Sequence, residues 1–102
     1  MSDKYPNLEL FKNEEAKRFE IEVEGHAAFI EYVLKDNIMF LTHTEVPQVL
    51  EGKGIGGSIV SKVLHYIKEK GHALAPLCPF VASYVRKHPE WKTLLANGHD
   101  VD

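Results

Sequence analysis

The chain has 102 residues, of which 44% are hydrophobic and 26% charged, as expected for one globular domain with a modest core. The formal net charge is −3 and the sequence has no basic block, which disfavours nucleic acid as a partner, since nucleic-acid binders usually carry a basic stripe. A single cysteine excludes an internal disulfide. The opening residues lack the apolar core of a signal peptide and no apolar run approaches the ~20 residues that span a bilayer, so we expect a cytoplasmic protein with no membrane partner.

The first half of the sequence predicts four short strands. Residues 8–12 are a weak candidate, whereas in residues 19–23 apolar side chains alternate with glutamates, the period of a half-buried strand. Residues 27–34 and 38–46 are two further apolar runs, and Pro47 ends the second of them. Because the turns between these runs are short, consecutive strands should pair in antiparallel fashion.

After Pro47 the pattern becomes that of an amphipathic helix. The apolar residues recur at every fourth position: Ile55, Ile59, Val63 and Ile67. Gly71 can provide a left-handed C-terminal cap, and residues 73–77 form a short strand candidate. A strand, a helix and a strand in succession require a crossover, so this strand should lie parallel to the one that ends at residue 46. Pro79 suits the first position of a second helix over residues 80–87.

These elements predict a mixed α+β fold (mixed α/β), with an antiparallel meander that leads into one βαβ unit. We expect one domain over residues 1–96 and a flexible tail over 97–102. Ligands of such sheets bind beyond the carboxyl ends of the parallel strands. In this sequence those ends are residues 45–46 and 77–78.

A glycine-rich turn occupies the first of these two places. Residues 51–58 read EGKGIGGS, and four glycines at a helix start carry a high cost in backbone entropy. The unpaired amides and the positive dipole of a helix start attract anions, and the missing β-carbons let a phosphate approach the backbone. Lys53 adds a cation. The alternative interpretation is a flexible turn that allows close packing of helix on sheet.

Two other phosphate-binding motifs do not fit this turn. Gly52, Gly54 and Gly57 satisfy G-x-G-x-x-G, but the dinucleotide fold needs an acidic residue roughly 20 positions later on a second parallel strand. Residues 77–79 read Leu-Cys-Pro and provide no acid. The P-loop pattern fails because Pro47 stands in the place of its first glycine.

The stretch of residues 46–58 resembles motif A of the GNAT superfamily of N-acetyltransferases, with Gly54 and Gly56 at its two small positions. Three stretches in order are similar to the short YjdJ-type GNAT-like subfamily: HTEVP at 43–47, GKGIG at 52–56, and PLCPFVA at 76–82 with HP at 88–89. The resemblance covers residues 9–91. Glu51 departs from the motif, which usually has Gln or Arg at this position, and its charge slightly repels phosphate.

This resemblance implies a minimal GNAT fold with a mixed, splayed sheet, and acetyl transfer from acetyl-CoA to an amine, either a small molecule or a protein lysine. The pantetheine arm of coenzyme A would extend beside residues 45–46, and its pyrophosphate would lie on the glycine-rich turn. The residues expected to bind the cofactor are Val46, Glu51, Gly52, Lys53, Gly54, Ile55, Gly56, Gly57, Ser58, Tyr84, Lys87 and His88.

Four residues are candidates for the chemistry. Cys78 precedes a helix start, which favours a nucleophilic thiolate that accepts the acetyl group, although most free cysteines are small buried apolar residues. Glu45 is a candidate base or an ordinary exposed strand residue. His43 shares its strand face and is a second candidate base or a half-buried strand histidine. Tyr84 would protonate the leaving thiolate or pack against the cofactor, and the spacing around it departs from the family pattern.

Three functions remain open at this point. The first is an acetyl-CoA-dependent N-acetyltransferase, and the second is an acyl-CoA-binding or sensing module without turnover. The third is a phosphate-binding scaffold unrelated to coenzyme A. The remaining histidines have no metal-ligand spacing, so we expect no metal. We expect a monomer or a weak dimer that pairs through the sheet edge near Leu8.

Overall fold

The computed structural model describes residues 3–101. The strands are β1 Phe11–Asn13, β2 Arg18–Val23, β3 His26–Lys35, β4 Ile38–Glu45 and β5 Ala73–Pro76. The helices are α1 Ile55–Lys70 and α2 Pro79–Lys87, and short 3-10 segments occupy Gln48–Leu50 and Pro89–Leu94. The first strand starts later than predicted because the amide of Leu8 donates to the carbonyl of Tyr5 in a turn, at 3.1 Å.

The five strands form one mixed sheet in the order β1-β2-β3-β4-β5. The first three pairings are antiparallel, and β5 pairs with β4 in parallel after the crossover through α1. The tight turns between strands use positive φ angles, 53° at Glu24 and 64° at Asn37. The predicted fold class, a mixed α+β meander that leads into a βαβ unit, is confirmed.

A β-bulge lies in the middle of β4. Tyr32 of β3 pairs with Leu41, but its neighbour Glu31 pairs with His43, so Thr42 is an extra residue in β4. Such a residue reverses the alternation of side chains along a strand. Beyond the bulge it is therefore Thr44 that shares the buried face of the sheet, while the residues on either side of it point to the open face.

The two parallel strands separate beyond their last pair, Leu41 with Pro76. The amide of Cys78 still donates to the carbonyl of Leu41, at 2.9 Å, but β4 continues to Glu45 without β5 beside it. Within the described part of the chain, β5 thus leaves the neighbouring backbone edge of residues 42–45 unpaired. This is the predicted splay, and it opens a gap beside the end of β4.

Both helices cover the same face of the sheet and share one apolar core with it. The predicted stripe of α1 is fully buried in this core, together with buried residues of β2, β3 and β4 and with Val81 and Val85 of α2. Helix α1 ends as predicted, because Gly71 takes the left-handed conformation and its amide donates to the carbonyls of Ile67 and Lys68. The glycine-rich turn is thereby fixed at the other end of a firmly packed helix.

The end of the chain also lies against the domain. The amide of Ala96 donates to the carbonyl of Leu74 at 2.8 Å, and the Arg86 guanidinium donates to the carbonyl of Val101 at 2.8 Å. Val101 is buried. The predicted tail over residues 97–102 therefore contacts the domain as far as Val101, and Asp102 lies outside the described residues. No helix within residues 3–101 combines the length and the apolar character needed to cross a membrane.

Candidate functional site

A cavity of about 490 Å³ opens between the end of β4, the glycine-rich turn and the start of α2. Its lining residues are Thr44, Glu45, Val46, Leu50, Glu51, Gly52, Gly54, Ile55, Gly56, Gly57 and Phe80. Most of the residues that the sequence predicts to bind a pyrophosphate thus meet around one space, which lies beyond the carboxyl end of β4 as expected for this kind of sheet.

The backbone of the turn exposes the start of α1. Gly52 and Gly54 have φ angles of 82° and 79°, values that L side chains rarely adopt. Gly54 is the N-cap, and the first intrahelical bond runs from the amide of Ser58 to its carbonyl, at 3.1 Å. The amides of residues 55–57 therefore come before the first amide that donates within the helix, and they lie at the positive end of α1. This arrangement suits an anion.

Gly56 has a second reason to lack a side chain. A β-carbon added there would lie 2.7 Å from Cζ of Phe80, so the aromatic ring rests directly on the glycine. Phe80 is 46% exposed and forms one wall of the cavity. Sequence reasoning missed Phe80 as a site residue, although a large apolar residue directly after Pro79, at the edge of a predicted ligand site, was an available signal.

Two residues of the turn are engaged by other parts of the protein. The hydroxyl of Ser58 is buried and donates to Oδ1 of Asp3 at 2.6 Å, and its amide already bonds within the helix. Nζ of Lys53 lies 3.6 Å from Oε1 of Glu24, a residue of the turn that connects β2 to β3. Both were expected to contact the cofactor, and the structure directs both side chains toward protein partners.

The Asp3 carboxylate is held by three donors. Burial of this carboxyl raises its pKa, but hydrogen bonds from Ser58, from Lys62 and from the Tyr5 amide lower it by more, so the pKa of Asp3 lies below its ordinary value. The carboxylate also pairs with Nζ of Lys62 at 2.9 Å. Asp3 is therefore an anionic anchor at the first turn of α1.

The predicted bases His43 and Glu45 form a pair on the open face of the sheet. Nε2 of His43 lies 2.9 Å from Oε1 of Glu45, and both side chains are more than half exposed. Their shared strand face was predicted and is present because both lie beyond the bulge. Glu45 lines the cavity, while His43 stands behind it and holds its carboxylate.

Cys78 lies on the other side of β4. The residue is 4% exposed, and its thiol lies 3.3 Å from the hydroxyl of Thr44, a side chain on the helix-covered face. Thr44 lines the cavity and Cys78 does not. The candidate nucleophile and the candidate bases are thus separated by the strand itself.

The last three predicted contacts lie away from the glycine-rich turn. Tyr84 is buried in the core, and its ring stacks on His88 with 4.3 Å between centroids. His88 lines a different cavity, together with His65 and Trp91. Lys87 is exposed at the end of α2. The structure does not bring Tyr84, Lys87 or His88 to the lining of the first cavity.

The chain is similar in sequence and in fold to known acyltransferases. A family model described as GCN5-related N-acetyl-transferase matches residues 18–94, from the start of β2 to the end of the last 3-10 segment. A GCN5-like putative N-acetyltransferase from Staphylococcus aureus, whose structure was determined by NMR in solution, shares 26% sequence identity. The alignment covers 92% of this chain and 96% of that one, with a TM-score of 0.66.

Proposed function

This chain belongs to the GCN5-related N-acetyltransferases, enzymes of acyl transfer, and from that premise we propose that it moves an acetyl group from acetyl-CoA to an amine. The observation that carries the proposal is the open start of α1, where the amides of residues 55–57 border a cavity of about 490 Å³. Thr44 and Glu45, at the end of the unpaired edge of β4, line the same space. A diphosphate and an extended arm therefore have adjacent places to bind.

The chain's own groups suit the diphosphate in three ways. The amides of residues 55–57 have no helical acceptor, and the dipole of α1 is positive at this end. Gly52 leaves open space, because a β-carbon added there would meet no atom within 4 Å. The Glu51 carboxylate, which also lines the cavity, opposes binding, so the backbone has to supply most of the attraction.

The pantetheine arm would follow β4. The splay of β4 from β5 leaves backbone groups of residues 42–45 available to an extended ligand. Pairing an extended chain with a free strand edge uses the same hydrogen bonds as a sheet. The Phe80 ring would then form an apolar wall between the arm and the start of α2.

Acetyl-CoA supplies an activated thioester, and the chain has to supply a base for the acceptor ammonium. We assign this role to Glu45, which lines the cavity, with His43 as the positioning residue that holds its carboxylate at 2.9 Å. Both side chains are open to solvent, so the acceptor would approach from the uncovered face of the sheet. That access suits a protein lysine as well as a small amine.

A covalent route through Cys78 is the less supported alternative. Its thiol is buried, contacts Thr44 and lies on the opposite face of β4 from Glu45. Intact-mass measurement after incubation with acetyl-CoA tests this route, with Cys78→Ala as the control. A stable gain of one acetyl group in the wild type, absent from the variant, would support the covalent route.

Binding and turnover are tested separately. Titration of CoA followed by backbone NMR should shift signals of residues 45–46 and 52–57, and signals that move only elsewhere would contradict the proposed site. Thiol release from acetyl-CoA with a panel of amines and lysine peptides then measures transfer. Glu45→Gln should lower kcat by about a hundredfold, as removal of a general base typically does, whereas Glu22→Gln on β2 should not. Binding without release with any amine would favour an acyl-CoA-binding module instead.

A further inference from the structure

The segment of residues 3–5 lies across the start of α1 and is anchored there on both sides. On one side, Asp3 accepts hydrogen bonds from the Ser58 hydroxyl at 2.6 Å and from Nζ of Lys62 at 2.9 Å. On the other, the Tyr5 hydroxyl donates to the carbonyl of Lys53 at 2.6 Å. Lys62 also donates to the Tyr5 carbonyl at 2.6 Å, so the helix and the glycine-rich turn both hold this segment.

Lys4 stands between these two anchors, and its side chain lies on the N-cap of α1. A β-carbon added to Gly54 would lie 3.1 Å from Cδ of Lys4 and 3.5 Å from its Nζ. An ammonium group beside the positive end of a helix is electrostatically unfavourable on its own. An anion bound to the amides of residues 55–57 would turn this repulsion into attraction.

The other lysine of the turn has a different environment. Lys53 pairs with Glu24 at 3.6 Å, and its carbonyl is fixed by Tyr5. Among the residues that the structure describes, no carboxylate forms a comparable ion pair with Lys4. Lys4 is therefore the better placed of the two cations to serve a ligand at the helix start.

We propose that Lys4 binds the diphosphate of the acyl donor together with the amides of residues 55–57, and that Asp3 and Tyr5 position it. This inference rests on the proposed function. The segment before β1 then forms part of the donor site, and the cation that the glycine-rich motif itself carries, Lys53, contributes to the turn's structure instead.

Calorimetric titration with CoA at low and high salt tests the assignment. Lys4→Gln should weaken CoA binding about fivefold at low salt, the scale of one charge-assisted contact, and high salt should shrink that difference. Lys4→Arg keeps the charge and should bind within about twofold of the wild type. Lys53→Gln, the matched control, should also stay within about twofold, because its side chain already has a protein partner.

A purely structural role for the segment makes a different prediction. In that case Lys4→Gln would lower the melting temperature without ligand, and Lys4→Arg would not behave like the wild type in CoA binding. Equal CoA affinity of Lys4→Gln and the wild type, or a larger loss for Lys53→Gln, would overturn the inference while the proposed function stands. A wild-type protein that binds no CoA would overturn both.

The anchor can be tested through the same measurement. Asp3→Asn should weaken CoA binding by releasing Lys4, so it should have little further effect once Lys4 is Gln. A double-mutant cycle measures this coupling directly. Fully additive losses would contradict the positioning role of Asp3.

Discussion

The two helix starts that border the cavity differ in what they expose. Helix α1 begins after Gly54, which takes a left-handed conformation, and residues 55–57, whose amides have no acceptor in the helix, line the cavity. Helix α2 begins after Cys78, whose backbone is extended (φ −73°, ψ 127°), and its first residue, Pro79, has no amide hydrogen. The thiol of Cys78 is buried against Thr44.

Both helices have the same polarity, so the dipole alone does not distinguish these starts. The two starts differ in what lines the cavity, because three consecutive residues of the α1 start do so, whereas Cys78 and Pro79 at the start of α2 do not. In the sequence, a helix start is what predicts both a phosphate site at residues 52–58 and an activated thiol at Cys78. The structure places residues 52 and 54–57 around the cavity and buries Cys78 away from it.

The largest effect on CoA binding is expected from adding a side chain at the start of α1. Gly56→Ala adds a β-carbon that overlaps the Phe80 ring, so this wall of the cavity has to shift. We expect CoA affinity to fall at least about tenfold, or ~1.4 kcal/mol. The free energy of unfolding should change by less than about 1 kcal/mol, since a helical alanine offsets the displaced contact. Isothermal calorimetry and urea unfolding measure the two quantities.

The control for this change is the double variant Gly56→Ala with Phe80→Ala, in which the overlap is removed. Its CoA affinity should return to that of Phe80→Ala alone. If Gly56→Ala binds CoA as tightly as the wild type, the donor does not bind at the start of α1. The proposed functional difference between the two helix starts would then be wrong.

The two ends of α1 offer a matched pair for the next effect. Gly54 and Gly71 both take left-handed conformations, with φ angles of 79° and 76°. Alanine at either position should cost about 1 kcal/mol of unfolding free energy, because the conformation disfavours a β-carbon. Only Gly54→Ala should also weaken CoA binding, by up to about fivefold, since its β-carbon would lie 3.1 Å from Cδ of Lys4 and crowd that side chain at the helix start. Equal effects of both variants on CoA binding would contradict a site at this end.

A smaller effect on kcat is expected from a change at Cys78, the residue before α2. Because the Cys78 thiol is buried and the bases lie on the other face of β4, Cys78→Ala should leave kcat within about twofold of the wild type. Iodoacetamide should label the native thiol much more slowly than the thiol in denaturant. A loss of kcat beyond tenfold, on the order seen when a reacting group is removed, would instead make this start the catalytic one.

The last prediction concerns the pH dependence of stability. The pKa of Asp3 is lower in the folded protein than its ordinary value, so its carboxylate stabilises the fold above about pH 4, and this contribution is lost as the pH falls further. Asp3→Asn should therefore lower the free energy of unfolding at pH 7 by about 1 kcal/mol and have less effect near pH 3. Urea unfolding at both pH values measures this, with Glu22→Gln as an exposed carboxylate control.

The elements of this fold could be predicted because their signals are local. Alternation in β2, the four-residue spacing in α1 and the cap at Gly71 each depend on neighbours along the chain, and all three are present. The glycine-rich turn could also be predicted from a local signal. Several glycines directly before an apolar stripe indicate a helix start that lacks side chains.

The tertiary structure decided which side chains meet at that turn. The bulge at Thr42 determines the faces of residues 43–45, and it depends on pairing with β3 rather than on β4 itself. Asp3 and Ser58 are 55 positions apart, and Phe80 reaches Gly56 only after the crossover has brought α2 beside α1. A local pattern specifies a helix or a strand, but contacts between distant segments depend on how those elements pack.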